Sequence, residues 1–171
     1  MTKHFLQSRT DTEGFNKVIY TPVVHGLINL IDGSDAALTC FLRDELDLPT
    51  ARHKLLNLLR GTECTETVIM KLSTALTEIG SNVLKYGRGG VACIWVGQKH
   101  KHSFVTIKVI DEGPGIPNID WAMGEHHTSG GSLGLGLSGA ARLVDHFEII
   151  SPVPRLGRGT LVVLGMTWKL D

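Results

Sequence analysis

A carboxylate and a carboxamide lie four residues apart, at Glu78 and Asn82, in a stretch with helical periodicity. On a helix, residues at this spacing lie one above the other, and Lys85 extends the same face. A carboxylate can take a proton from water or a hydroxyl, and an amide oxygen is a hard ligand suited to Mg²⁺. The pair indicates proton transfer beside a metal, although solvated residues at the edge of an apolar stripe give the same pattern.

Two short glycine-containing segments could border a ligand. In DEGPGI, Asp111 follows an apolar run, and a buried carboxylate there can accept a hydrogen bond from a ligand amine. Gly113 and Gly115 would let the backbone turn sharply and approach a flat ring. In GRGT, Thr160 precedes the last apolar run and could place its hydroxyl on a ligand or a bound water. Taken singly, both segments are also compatible with ordinary turns.

A third segment, SGGSLGLGL, opens a predicted helix. Backbone N–H groups at a helix start can bind an anion, and Gly134 and Gly136 would let them close around phosphates. A flexible loop is the alternative for this segment. No Gly-Lys-Ser/Thr occurs, which excludes a Walker A loop, and the local Gly-x-Gly-x-x-Gly lacks the strand–turn–helix unit with a ribose-binding acid.

The helices that would position these residues are predicted from apolar periodicity. The strongest runs from about Thr65 to Tyr86, and glycines follow it. A short amphipathic helix is predicted in TPVVHGLINLIDG. Another is predicted in PTARHKLLNLLRG, with Thr50 as its cap and Gly61 as its stop.

Strand-like runs surround these helices. Leu38 to Leu42 is predicted as a short strand, and VACIWV and SFVTIKVI as a hairpin. Residues 118–132 are predicted to be a mobile loop, followed by a helix in LGLSGAARLVDHF and strands in FEIIS and TLVVLGMTW. The pattern predicts an α+β fold, a two-layer sandwich whose mixed, mostly antiparallel sheet has helices on one face.

Composition limits the classes of partner. Lys plus Arg and Asp plus Glu are 17 each, so no overall field attracts nucleic acid or a membrane surface. The three cysteines are far apart, which is typical of a reducing compartment rather than of a disulfide frame. No run approaches the roughly 18 apolar residues of a membrane helix, and the first residues lack the apolar core of a signal peptide. We therefore expect a cytoplasmic protein.

The order of the segments resembles the ATP-binding domain shared by gyrase, heat-shock chaperones, histidine kinases and MutL, the GHKL superfamily with the Bergerat fold. The stretches that carry the resemblance are ALTEIGSNVLKYG, VIDEGPGIPNI, TSGGSLGLGLSGAARLVDHFEI and GRGTLVV. Within that superfamily the anti-sigma and stressosome switch kinases are most similar, through the Pro of DEGPGIP, the short loop after it and the helix start LGLGLSGAARL.

The resemblance implies an ATP site with Mg²⁺. It implies that Glu78 is the general base, that Asn82 holds Mg²⁺ against the ATP phosphates, and that Lys85 lies near phosphate. It implies that Asp111 binds the adenine amine and that Thr160 supports the adenine end. The other implied ATP-binding positions shape the pocket or cover the phosphates as a lid: Gly113, Gly115, Ile116, Gly131, Gly134, Leu135, Gly136 and Leu137.

His126 and His127 lie within the implied lid and could suggest a metal site. No third ligand is spaced nearby, so we favour solvent-exposed lid residues.

The function that the resemblance implies is an ATP-dependent serine/threonine protein kinase of a bacterial partner-switching pathway. Its partner would be a STAS-domain antagonist, and it would regulate a sigma factor or a downstream phosphatase in a stress response. Residues 38–171 would form the kinase domain and 1–37 an N-terminal extension. Two alternatives stay open: an ATP-dependent binding switch with little kinase activity, and the catalytic part of a split histidine kinase. The oligomeric state is also open, with a homodimer as one option.

Overall fold

The computed structural model describes residues 21–124 and 136–170 and contains a five-stranded sheet in the order β1-β2-β3-β5-β4. Each neighbouring pair in this sheet is antiparallel. β2 and β3 form the predicted hairpin, with His100 and Lys101 in its turn. The strands are β1 Leu38–Leu42, β2 Gly90–Lys99, β3 His102–Asp111, β4 His146–Ile150 and β5 Leu161–Lys169.

Five α-helices accompany the sheet in the described residues: α1 Thr21–Leu30, α2 Asp47–Arg60, α3 Glu66–Tyr86, α4 Ile119–Ala122 and α5 Gly136–Leu143. The prediction of a loop over 118–132 is wrong at its start, because α4 forms there and the Asn118 side chain accepts the Trp121 N–H at 2.9 Å. Residues 125–132 of that predicted loop lie outside the described residues.

α3 is the longest helix and matches its prediction closely. The Thr65 hydroxyl caps its start by accepting the Val68 N–H, and the Gly87 N–H closes its end on the Val83 carbonyl at 2.8 Å. The two capping interactions determine where α3 begins and ends, and its apolar stripe determines which face is buried. Its buried residues include Ile69, Leu72, Ala75, Leu76, Ile79 and Val83.

α2 begins at Asp47, so the prediction of Thr50 as its cap is wrong. The Asp44 side chain accepts the N–H groups of Leu46 and Asp47, and Arg43 binds the Asp47 carboxylate at 2.8 and 3.0 Å. These bonds satisfy the helix start before Thr50, whose hydroxyl instead donates to the Leu46 carbonyl from inside the first turn.

The main core lies between one face of the sheet and the helices α2, α3 and α5. Alternate residues of the central strands point into it, as the pleat requires. The largest fully buried side chains of this layer include Leu55, Leu59, Leu72, Leu76, Ile94, Ile107 and Leu164.

α1 covers the opposite face of the sheet. Leu27 and Ile31 pack there in a second cluster with the β-strand residues Val91, Cys93 and Ile110. The following turn approaches so closely that a Cβ on Gly33 would stand 2.7 Å from the Cys93 sulfur. Two polar contacts hold this segment: Lys108 Nζ donates to the Ile31 carbonyl at 3.1 Å, and Trp95 Nε1 donates to Asp35 at 2.9 Å.

The predicted α+β sandwich is confirmed, with α2, α3 and α5 on one face of the sheet; α1 is a further layer on the other face. None of the helices in the two described segments is long and apolar enough to cross a membrane.

Candidate functional site

Asp111 lies at the end of β3 and is the centre of a buried polar cluster. Its side chain is 8% exposed, and its Oδ1 accepts the N–H groups of Gly113 at 2.8 Å and Thr160 at 3.2 Å. The Asp111 N–H in turn donates to the Thr160 carbonyl at 3.0 Å. Within residues 21–124 and 136–170 no donor is bonded to Oδ2, so this oxygen can accept from a ligand.

Two glycines let the backbone close around Asp111. A Cβ on Gly87, just after α3, would lie 2.6 Å from the Asp111 side chain. Gly159 has a φ of 76°, and a Cβ there would collide with the backbone oxygen of Asp111. Only glycine fits both a left-handed conformation and such contact without strain. The end of α3 and the turn before β5 are therefore both held against the carboxylate.

Burial changes the acidity of this carboxyl. Desolvation raises the pKa of Asp111 to about 6, while the hydrogen bonds from the Gly113 and Thr160 N–H groups act in the opposite direction. The charged form loses water on burial, whereas N–H donors stabilise it. Asp111 is thus mainly ionised at neutral pH and is protonated by mild acid.

Ser151, which follows β4, connects the two segments that border Asp111. Its hydroxyl accepts the Ile116 N–H at 2.7 Å, donates to the Gly159 carbonyl at 3.0 Å and lies 3.2 Å from the Thr160 hydroxyl. The sequence analysis missed this residue. The only local signal was a serine at the end of a predicted strand, shortly before GRGT, and none of its three contacts can be read from spacing.

Glu78 and Asn82 lie half-buried on the same face of α3. Glu78 Oε2 accepts the Gly136 N–H at 3.1 Å, so the carboxylate sits at the start of α5. At about 1.5 Å per residue, Glu78 is roughly 13 Å along α3 from Gly87, the residue packed on Asp111. One rigid helix therefore separates a buried acceptor from a carboxylate placed at the first turn of α5.

The remaining predicted residues do not share one environment. Lys85 is exposed on the last turn of α3, and Ile116 contributes its N–H to Ser151. Leu137 packs against the main core from α5. Gly131, Gly134, Leu135, His126 and His127 lie outside the described residues.

The side chains near Asn82 indicate how Mg²⁺ could be held at this site. Among the described residues there is no group of three or more His, Cys, Asp or Glu side chains that could hold a metal ion. Mg²⁺ commonly keeps several waters and binds proteins through one or two side chains plus substrate phosphates. A single amide oxygen at Asn82 fits an ion held in that way and does not fit a metal caged by protein alone.

Comparison with known proteins places this architecture in a family. Residues 67–170 match the profile described as histidine kinase-, DNA gyrase B- and HSP90-like ATPase, which is more than half of the chain. The chain belongs to this family, and the predicted resemblance is confirmed at that level.

One relative with a described activity is the serine/threonine-protein kinase RsbT of Bacillus subtilis (strain 168). It is 35% identical over 91 residues, which are 53% of this chain and 65% of RsbT. The chain therefore spans slightly less than two thirds of that relative. Among solved structures, the RsbU and RsbW domains of Rv1364c from Mycobacterium tuberculosis match with a TM-score of 0.54 and 17% identity, covering 79% of this chain and 34% of that one. That similarity shows the fold alone.

Proposed function

We propose that this chain is an ATP-dependent serine/threonine protein kinase that phosphorylates a STAS-domain antagonist in a cytoplasmic partner-switching pathway. Family membership supports binding of ATP, and the similarity to RsbT favours serine or threonine as the acceptor. In this proposal residues 38–171 form the kinase domain, residues 1–37 are an extension, and a sigma factor or a phosphatase lies downstream.

The observation that carries the proposal is the placement of Glu78. Glu78 belongs to α3, and its carboxylate lies at the N-terminus of α5. The C-terminal end of α3 packs against Asp111. A nucleotide whose base donates to Asp111 and whose phosphates reach α5 would present its last phosphate near Glu78. The dipole and N–H groups at a helix start favour phosphate there.

Each residue then has a distinct task. Asp111 accepts from the amino group of the base, and the backbone around Gly113 and Gly159 shapes the space for the ring. Asn82 would hold Mg²⁺, which supplies neutralisation of the charge on the phosphates. Glu78 accepts the proton of the attacking serine or threonine hydroxyl of the partner. In phosphoryl transfer most of the catalysis comes from such positioning and charge stabilisation.

The first experiment separates binding from chemistry at Glu78. We expect Glu78→Ala to bind ATP at least as tightly as the wild type, because a carboxylate beside the phosphates is removed. We expect the same variant to lose phosphotransfer by about 10²-fold or more, because the base is lost. Binding is measured by calorimetry with Mg²⁺ and ATP. Transfer is measured with radiolabelled ATP on a STAS-domain protein recovered from the native cell by ATP-dependent pull-down.

Three outcomes would contradict the proposal. If Glu78→Ala phosphorylates the partner at the wild-type rate, Glu78 is not the base. If the wild type binds ATP and the partner yet transfers nothing, the chain is a binding switch. If the product is acid-labile, the acceptor is histidine and the chain works as part of a split histidine kinase.

A further inference from the structure

α1 shares its apolar cluster with the segment that connects β4 to β5. Leu27 of α1 and Ile31, the residue after its end, are almost fully buried in this cluster. Val153 is buried in the same cluster, and Leu156 packs against it. In the described part of the chain, neither Val153 nor Leu156 belongs to the main core. The connecting segment therefore shares its apolar anchor with α1.

Residues 151–160 form a tight turn that is closed by its own backbone hydrogen bonds. The Val153 carbonyl accepts the N–H groups of Leu156 at 3.0 Å and Gly157 at 2.9 Å. The Val153 N–H donates to the Arg158 carbonyl at 3.1 Å. Because these bonds join the apolar anchors to the rest of the turn, we expect the 151–160 turn to move as one unit.

The other side of the 151–160 turn contacts the segment that contains Asp111. The Gly159 N–H donates to the Gly113 carbonyl at 2.8 Å. A Cβ on Gly159 would collide with the Asp111 backbone oxygen and would stand 3.2 Å from Leu156 Cδ2. The Leu156 side chain thus contacts both the α1 cluster and the backbone that packs on Asp111. A continuous path of contacts connects α1 to the candidate nucleotide site.

This packing defines two states of α1. In the docked state, Leu27 and Ile31 cover Ile110, the residue before Asp111, and the cluster anchors the turn. In a released state, Val153 and Leu156 would lose the contacts with α1, while the hydrogen bond from Gly159 to Gly113 could persist. A terminal helix that packs on one face of a sheet opens locally more easily than a core helix does.

We propose that α1 is a regulatory helix whose docking strengthens nucleotide binding, because the docked helix holds the 151–160 turn against Asp111. The proposal rests on the proposed nucleotide-binding function and adds a control element to it. Linkage makes the effect reciprocal, so bound nucleotide holds α1 in its docked state by the same factor. Capture of the apolar face of α1 by another protein would weaken nucleotide binding.

Hydrogen exchange on the wild-type full chain tests the reciprocal effect without any substitution. The amides of residues 27–30, in the last turn of α1, are followed in Mg²⁺ with and without saturating ATP. We expect ATP to slow their exchange about fivefold or more, a typical coupling between two sites. The buried core of α3 reports global unfolding, and without ATP its amides should exchange more slowly than those of α1.

Leu27→Ala measures the same coupling from the other side. By releasing α1, it should raise the dissociation constant of ATP about fivefold, approaching the factor found by exchange. Leu59→Ala is the matched control, because Leu59 is a leucine buried in the main core on α2. It should leave the dissociation constant unchanged. Calorimetry with Mg²⁺ and ATP gives these values.

Leu156→Ala tests whether the turn is the connection. It should also raise the dissociation constant of ATP. Combined with Leu27→Ala, its effect should be less than additive, because both substitutions break one path of contacts. Fully additive effects would show that α1 does not act through the turn, and the inference would then be wrong.

Three other results would overturn the inference. The first is exchange of α1 that ATP does not slow, or that has the rate of the α3 core in both conditions. The second is a Leu27→Ala variant that exchanges faster in α1 but binds ATP as the wild type does. The third is an equal loss of affinity in Leu59→Ala. If Leu27→Ala does not fold, as judged by thermal melting, exchange in the wild type decides. A wild type that binds no ATP contradicts the proposed function instead.

Discussion

Asp111 combines burial with a proposed role that requires charge. Only its ionised form presents two accepting oxygens, and Oδ1 is already occupied by two backbone N–H groups. Desolvation raises the pKa to about 6, and no charged partner is among the causes of the shift. An ion pair of this turn, Glu112 with Arg158 at 3.7 Å, is partly exposed and screened by solvent. The protonation state of Asp111 should therefore change in the mildly acidic range, around pH 6.

We expect the ratio of the affinities for ATP and for ITP, whose base carries a keto oxygen at position 6 in place of the amine, to depend on pH through Asp111. Protonation turns one accepting oxygen into a donor, which weakens binding of the 6-amino base and favours the 6-keto base. The ratio of affinities should be constant above about pH 7 and fall by up to about tenfold per pH unit below a pKa of about 6. Titration of the phosphates cancels because both ligands carry them. A ratio that stays flat from about pH 8 to about pH 5 would refute this role of the carboxylate.

At the scale of elements, local chemistry explains which predictions held. α3 has a threonine cap, a continuous apolar stripe and a terminal glycine, so its bounds were predictable from neighbours in sequence. The start of α2 was not, because the bonds of Asp44 and Arg43 satisfy its first turn ahead of the apparent cap. The stripe of α1 predicted a helix but could not tell which face of the sheet it covers, since that depends on contacts with distant strands.

Lys108 joins α1 to the sheet and gives a test of that layer. Its ammonium donates to the Ile31 carbonyl and lies 5.2 Å from the centre of the Trp95 ring. We expect Lys108→Met, which keeps an apolar stem, to weaken docking of α1 by about 1 kcal/mol. Hydrogen exchange of the α1 amides should then be roughly fivefold faster, because the helix opens locally more often.

The control for that experiment is Lys169→Met, at the exposed end of β5. It removes the same charge without touching α1. Unchanged exchange of α1 in Lys108→Met, or equal acceleration in both variants, would show that the apolar contacts of Leu27 and Ile31 hold the helix by themselves.

In the whole molecule, the candidate site is assembled from segments far apart in sequence. α3 supplies the carboxylate and the carboxamide, the end of β3 supplies Asp111, and the turn before β5 supplies Thr160. The order of motifs predicts an ATP-binding role for these residues through family resemblance, and that role stays a prediction. Ser151 was not predictable, because its contacts form only in the folded chain. They join it to Ile116, 35 positions earlier, and to Gly159 and Thr160, 8 and 9 positions later.

Because the site spans α3 and the sheet, ligand binding should stabilise the whole domain. At a free ATP concentration about 100 times the dissociation constant, binding contributes about 2.7 kcal/mol, which corresponds to a rise in Tm of roughly 5–10 °C for a chain of this size.

Asn82→Ala should retain a nucleotide-dependent shift in Tm, but the size of that shift should no longer depend on Mg²⁺, since the amide oxygen that would hold the ion is absent. Thermal melts with Mg²⁺ or with EDTA measure this directly, and Glu78→Ala should keep the wild-type response to Mg²⁺. If Asn82→Ala still gains as much stability from Mg²⁺ as the wild type does, the ion is held by other groups.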